Sequence, residues 1–139
     1  MGSSFIFLII AIVAVGLLAL VAMTLTNKHG HTFDVEAYQT RWLKIENGLV
    51  REDPRTYSMS VIEADKLLDR ALNEMGLPGK TMGERLKRVT DRFEKPNAVW
   101  SAHKLRNQIA HENDFVVEYP QASRALAAFR QALKDLGAI

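Results

Sequence analysis

The chain has 139 residues, with 18 basic and 16 acidic side chains, a formal net charge of +2 at pH 7 and no cysteine. This length leaves room for one domain and little else. The missing cysteines exclude a disulfide framework, a thiolate nucleophile and a cysteine metal site. The net charge is too small to indicate, by itself, a surface for nucleic acid or for anionic lipid.

The N-terminal segment is uniformly apolar. Every residue from Phe5 to Met23 is apolar or Gly, and the first charged side chain is Lys28. As a helix, this run is roughly 28 Å long, which approaches the ~30 Å hydrocarbon core of a bilayer. The sequence therefore predicts a transmembrane anchor over residues 1–26, a linker over 27–33 and a helical domain over 34–139.

Two other interpretations of the apolar segment are weaker. A cleaved signal peptide has a basic start and a shorter apolar run, whereas this chain starts with MGSS; Ala19 and Ala22 leave only a weak cleavage motif. A buried core helix would need a larger domain to surround it.

Basic residues predict the orientation of the anchor. Lys28, Arg41 and Lys44 follow the apolar run, and no Lys or Arg precedes it. Because Lys and Arg accumulate on the cytoplasmic side, we expect a single-pass protein of the inner (cytoplasmic) membrane, with its N-terminus outside and its domain in the cytoplasm.

The rest of the chain has helical periodicity between prolines. Apolar residues recur at helical spacing in five segments, at about 34–49, 56–75, 81–93, 97–112 and 120–136. Proline breaks helix interiors and is accepted in first turns, so Pro54, Pro78, Pro96 and Pro120 separate these helices. The predicted fold class is all-α: one transmembrane helix followed by an antiparallel bundle of four to five helices.

Local signals indicate where several of these helices begin and end. Gly76, followed closely by Pro78, predicts a left-handed C-cap. Thr81 and Glu84 predict a capping box, in which each side chain accepts from the other residue's backbone N–H. Residues 115–119 (FVVEY) are the one strand candidate, and a lone strand would have no partner.

The fourth helix of the soluble part carries an unusual concentration of polar and aromatic side chains. They are Trp100, His103, Arg106, Asn107 and His111. At about 100° per residue, the apolar face that we expect to be buried is formed by Ala98, Ala102, Leu105 and Ile109. Trp100, His103, Asn107 and His111 form a second stripe. Arg106 lies roughly 140° from His111, so these two side chains of one helix should not touch.

Two interpretations of this set remain open. In the first, it cleaves phosphodiesters without a metal: a histidine takes a proton from a ribose 2′-hydroxyl, and an arginine stabilises the charge on the phosphate. In the second, Arg106 pairs with an acidic residue, Asn107 bonds backbone at a helix crossing and His111 supports the C-terminal turn of the helix.

The segment KLRNQIAHE (residues 104–112) resembles the signature of HEPN-type domains, an Arg, a polar residue and then a His after four to six intervening residues. The resemblance implies a helical bundle with the motif on a late helix. Many HEPN members are metal-independent endoribonucleases whose Arg and His line a cleft shared by two protomers. Others are RNA-binding or interaction modules.

Carried over to this chain, the resemblance assigns an acid/base role to His111, a phosphate-binding role to Arg106 and a supporting role to Asn107. His103 and Trp100 are accessory candidates. The best basic cluster outside this helix is formed by Arg85, Lys87, Arg88 and Arg92, and acidic residues interleave with it as on a solvated helix face.

We therefore expect a non-catalytic interaction or dimerisation module at the membrane, acting as a homodimer or on RNA or another protein. The alternative is a metal-independent endoribonuclease with an Arg/His pair at a dimer cleft. Neither a metal nor a small-molecule cofactor is expected.

Overall fold

The computed structural model describes residues 2–26 and 31–139, which form six α-helices and no strand. In chain order the elements are α1 (Gly2–Thr26), α2 (Val35–Gly48), α3 (Arg55–Glu74), α4 (Met82–Val89), a 3₁₀ turn (Thr90–Arg92), α5 (Pro96–His111) and α6 (Tyr119–Leu136). The predicted all-α class, an apolar N-terminal helix followed by a helical bundle, is confirmed. The strand candidate at 115–119 forms no strand, and its last residue begins α6.

Helix α1 belongs to a compact unit of its own, residues 1–32, and residues 33–139 form the second unit. The stretch Gly2–Ala22 has a mean hydropathy of 3.2 and is long and apolar enough to cross a membrane. Residues 27–30, which include Lys28 and most of the predicted linker, lie outside the described residues.

Helix α3 is the centre of the second unit, because it packs against α2, α4, α5 and α6. The largest fully buried side chains come from α3, α4, α5 and α6: Val61, Leu68, Leu72, Leu86, Val99, Phe129 and Leu133. Burying a side chain of this size stabilises the fold by about 1.5–3 kcal/mol. The core is thus held around α3, and any side chain on its inner face meets several helices.

Local hydrogen bonds fix two helix ends, and the second agrees with its sequence signal. The Asp34 side chain accepts a hydrogen bond from the Ala37 N–H at 3.1 Å, which caps α2. Gly76 has φ +70° after α3, and Leu77 N–H bonds to Leu72 C=O at 3.4 Å. These contacts form the predicted left-handed C-cap, a Schellman motif.

The predicted capping box of α4 is only half correct. Thr81 Oγ1 accepts from Glu84 N–H at 3.2 Å, but the Glu84 carboxylate accepts from Lys80 N–H at 2.6 Å, one residue before the predicted donor. A complete box forms instead at α6, between Glu118 and Gln121.

Candidate functional site

All five candidate residues of α5 line one open cleft of about 730 Å³. Its opposite walls are the face of α3 around Asp65 and Asp69, and the segment from Lys80 to Lys87, which contains the start of α4. The residues that the sequence grouped on α5 are Trp100, His103, Arg106, Asn107 and His111. They therefore share one site, although they differ in exposure and in partners.

The predicted apolar face of α5 packs against the core, but the buried surface extends beyond it. Ala102 is buried, and Ala98, Leu105 and Ile109 are partly buried against the core. Val99 and His103 are buried as well. The face is turned toward His103, which is 8% exposed. Burial of a histidine requires a partner for its ring nitrogens, and α3 supplies one.

That partner is Asp65, a buried carboxylate that the sequence reasoning missed. Its side chain is 4% exposed, and Oδ1 lies 2.8 Å from His103 Nδ1. Its other oxygen, Oδ2, lies 3.3 Å from Arg106 Nε, an ion pair without the alignment of a hydrogen bond. One carboxylate of α3 thus holds two α5 side chains, and Arg106 pairs with an acidic residue, as the second interpretation expects.

Asn107 joins the same two α5 side chains from the other side. Its Oδ1 accepts from Arg106 Nη1 at 3.2 Å, and its Nδ2 lies 3.4 Å from His103 Nε2. Asn107 therefore bonds side chains, whereas the second interpretation gave it a backbone partner. Together, Asp65, His103, Asn107 and Arg106 form a closed polar ring between α3 and α5, which we call the Asp65 ring.

A second polar link joins α3 to α4 beside the Asp65 ring. Arg85 is 8% exposed; its Nε and Nη2 donate to Asp69 Oδ1 at 2.9 and 2.7 Å, and its Nη1 donates to Gly79 C=O at 2.7 Å. The predicted solvated basic face is therefore wrong for Arg85, although Lys87, Arg88 and Arg92 are exposed.

His111 and Trp100 occupy the edge of the cleft. The His111 side chain is exposed, and it makes no hydrogen bond or ion pair with any part of the chain that the structure describes. No such bond joins it to Arg106, as the helical offset predicts. Trp100 is half-buried, and its ring meets His103 edge-on with centroids 6.3 Å apart. The cleft thus combines paired groups at its floor with one unpaired imidazole at its rim.

The carboxylates of the cleft, Asp65, Asp69 and Glu84, are already bound by His103 and Arg106, by Arg85 and by the Lys80 N–H, respectively. Within residues 2–26 and 31–139, no group of three or more His, Asp or Glu side chains is placed to hold a metal ion. What the arrangement offers chemically is hydrogen bonding and charge: the outer edge of Arg106, whose side chain is 30% exposed, and the His111 ring.

A signal for Asp65 exists in the sequence. On α3 the apolar stripe runs through Val61, Leu68 and Leu72, and Asp65 takes the position between Val61 and Leu68. A carboxylate in an apolar stripe needs a buried partner, because an unpaired buried charge is costly. That observation predicts a cation or histidine opposite α3, though not which one.

Comparisons with protein-family models, with curated proteins and with solved structures gave no match.

Proposed function

We propose that this chain is a membrane-anchored, HEPN-like helical module that binds a partner, or a second copy of itself, and catalyses no reaction. The observation that supports this proposal most strongly is the Asp65 ring. Two of the three signature residues, Arg106 and Asn107, are bound within it. Their polar atoms serve to fix α5 against α3, so they are poorly placed to reorganise around a reacting phosphate.

The anchor in this proposal is α1, and it places the domain at the cytoplasmic face of the inner membrane. Support comes from its length and hydropathy and from the basic residues that follow it, Lys28, Arg41 and Lys44. A reporter fused to the C-terminus tests the orientation. Activity of a cytoplasm-specific reporter is the expected result, and activity of a periplasm-specific reporter contradicts it.

Self-association is the form of binding that the tether favours. Confinement to one membrane raises the effective concentration of two domains for each other. The rim of the cleft carries the exposed His111 and half-buried Trp100, and aromatic side chains such as Trp are enriched at interfaces. In the family that the motif resembles, two protomers meet at the same place.

An RNA-cleavage assay tests the proposal. The full chain in detergent is incubated with mixed RNA beside Arg106→Ala, His111→Ala and the control Arg92→Ala, which removes an exposed arginine outside the cleft. We expect no specific cleavage by any of the four proteins. We also expect Arg106→Ala alone to lower the unfolding midpoint, and His111→Ala to weaken the dimer without unfolding the domain.

The second candidate function is a metal-independent endoribonuclease, and one observation favours it. His111 is exposed at the same cleft as Arg106 and has its ring free for proton transfer. Cleavage by the unmodified chain and by Arg92→Ala, lost in both His111→Ala and Arg106→Ala, supports the enzyme and overturns the module.

A further inference from the structure

The Asp65 ring has a fixed direction of hydrogen bonding. A guanidinium only donates, so the Asn107 atom that faces Arg106 Nη1 at 3.2 Å is the amide oxygen. The amide nitrogen consequently faces His103 Nε2 at 3.4 Å and donates to it. Nε2 must therefore be unprotonated, and Nδ1 carries the proton that is donated to Asp65 at 2.8 Å. Donor chemistry thus selects one neutral tautomer of His103.

A proton added to Nε2 cannot be accommodated in this ring. Two donors, the Nε2–H of His103 and the Nδ2–H of Asn107, would then face each other without an acceptor. Rotating the Asn107 amide by 180° gives His103 an acceptor, but the amide nitrogen then faces Arg106 Nη1, which is also a donor. Neither amide orientation satisfies both neighbours once His103 is protonated. Arg106 has a side chain that is 30% exposed and can turn its Nη1 to water, whereas His103 is 8% exposed and depends on Asn107 at Nε2. The contact between Asn107 and Arg106, at 3.2 Å, is therefore the one that this conflict breaks.

Helix α4 adds a second reason for a neutral Nε2. A Cβ placed on Gly83 would lie 3.9 Å from that nitrogen, so the first turn of α4 lies close to it. The N-terminal end of a helix carries a partial positive charge, which disfavours a positively charged imidazole beside it. The conflict at His103 Nε2 therefore comes from α4 as well as from Asn107.

Among the carboxylates that line the cleft, Asp65 is the one bonded to His103, because the others have different partners. On α3, Asp69 is bound by Arg85 of α4. Before α4, the Lys80 backbone N–H is bound by Glu84. The other charged or titratable side chains that line the cleft are Lys66 of α3, Lys80 before α4, Lys87 of α4, and Arg106 and His111 of α5. Asp65 already faces Arg106, so a protonated His103 would leave an excess of positive charge at this carboxylate.

We propose that His103 is a proton-sensitive latch on the cleft. Neutral His103 holds Asn107 and Arg106 in the closed ring, and protonation of Nε2 detaches Arg106 from Asn107 and frees its guanidinium toward the open cleft. The consequence for binding rests on the proposed function: the surface offered to a partner becomes more positive in acid and favours an anionic partner.

Nuclear magnetic resonance of the full chain in detergent micelles tests the latch without any partner. With ¹⁵N-labelled histidine, we expect the Nδ1–H tautomer of His103 at pH 8, assigned by its absence in His103→Gln. Observation of the Nε2–H tautomer overturns the proposal. Between pH 8 and 5, the Arg106 Nε–H signal should shift together with the protonation of His103. A His103 that stays neutral down to pH 5, or an Arg106 signal that does not follow it, also overturns the proposal.

Two variants separate the latch from other titrations. In Asn107→Asp, a carboxylate accepts from both Arg106 and protonated His103, so the Arg106 signal should no longer move when His103 is protonated. In His111→Gln, the Arg106 response should persist; its loss would assign the proton to His111 and overturn the latch. The RNA and oligomer measurements at pH 7.5 test the proposed function separately, because none of them depends on the protonation of His103.

Discussion

Removal of the Asp65 carboxylate should lower the free energy of unfolding of the domain by a large fraction. The side chain is 4% exposed, and it faces His103 Nδ1 at 2.8 Å and Arg106 Nε at 3.3 Å. In Asp65→Ala, the buried histidine loses its acceptor and the arginine is left as an uncompensated charge. Loss of one partner of a buried pair costs about 3–5 kcal/mol. Since domains of this size unfold with about 5–15 kcal/mol, this is a large fraction of the total.

Urea unfolding of the full chain in detergent, followed by the fluorescence of Trp42 and Trp100, measures this loss. Asp65→Asn keeps an acceptor without the charge, so we expect an intermediate loss of about 1–3 kcal/mol. The matched control on the same helix is Glu63→Ala, which removes an exposed pair with Lys66 (3.1 Å) and should cost less than about 0.5 kcal/mol. If Asp65→Ala costs no more than Glu63→Ala, the reasoning about the ring is refuted.

Three further predictions concern the bundle. Burial, assisted by Glu74, raises the pKa of Tyr38 to about 12. The folded state therefore holds the phenolic proton more tightly than the unfolded state, and stability present below pH 10 is lost as the pH rises toward 12. Tyr38→Phe should remove this loss of about 2 kcal/mol, and equal alkaline sensitivity of both proteins would contradict it. Gly76→Ala places a Cβ at φ +70° and should cost about 1 kcal/mol in urea unfolding, whereas Gly48→Ala, in ordinary contact with its surroundings, should cost nothing; equal effects would refute the strain argument. Leu68→Ala empties a fully buried site and should cost about 3 kcal/mol, against less than about 0.5 for Leu43→Ala at a 55% exposed position; thermal unfolding compares them, and similar midpoints would contradict the described core.

Much of the fold follows from local sequence signals. The apolar run identifies α1, and prolines near helix boundaries with helical periodicity between them identify the five helices of the bundle. Gly76 marks the end of α3, because only a left-handed residue permits that turn. These features depend on residues a few positions apart. The exception is Glu84, whose flexible side chain reached one residue beyond its predicted donor.

The site was harder to predict, because its central contact joins distant parts of the chain. The periodicity of α5 grouped its polar residues, but their state depends on Asp65, which lies 38 residues before His103. A helical wheel predicts which side chains share a face and gives no information on which helix covers that face. It therefore identified the side of α5 that packs on the core, where Ala98 and Leu105 are partly buried, but it missed the burial of His103, which the carboxylate of α3 permits.

The most direct test is a double-mutant cycle between Asp65 and Arg106, measured by urea unfolding. If the signature arginine serves to hold α5 against α3, Asp65→Ala and Arg106→Ala should couple, and the double variant should be more stable than the sum of the single losses by about 1–3 kcal/mol. Losses that add to within about 0.3 kcal/mol would show that the two residues stabilise the domain independently, and would contradict the structural role of Arg106.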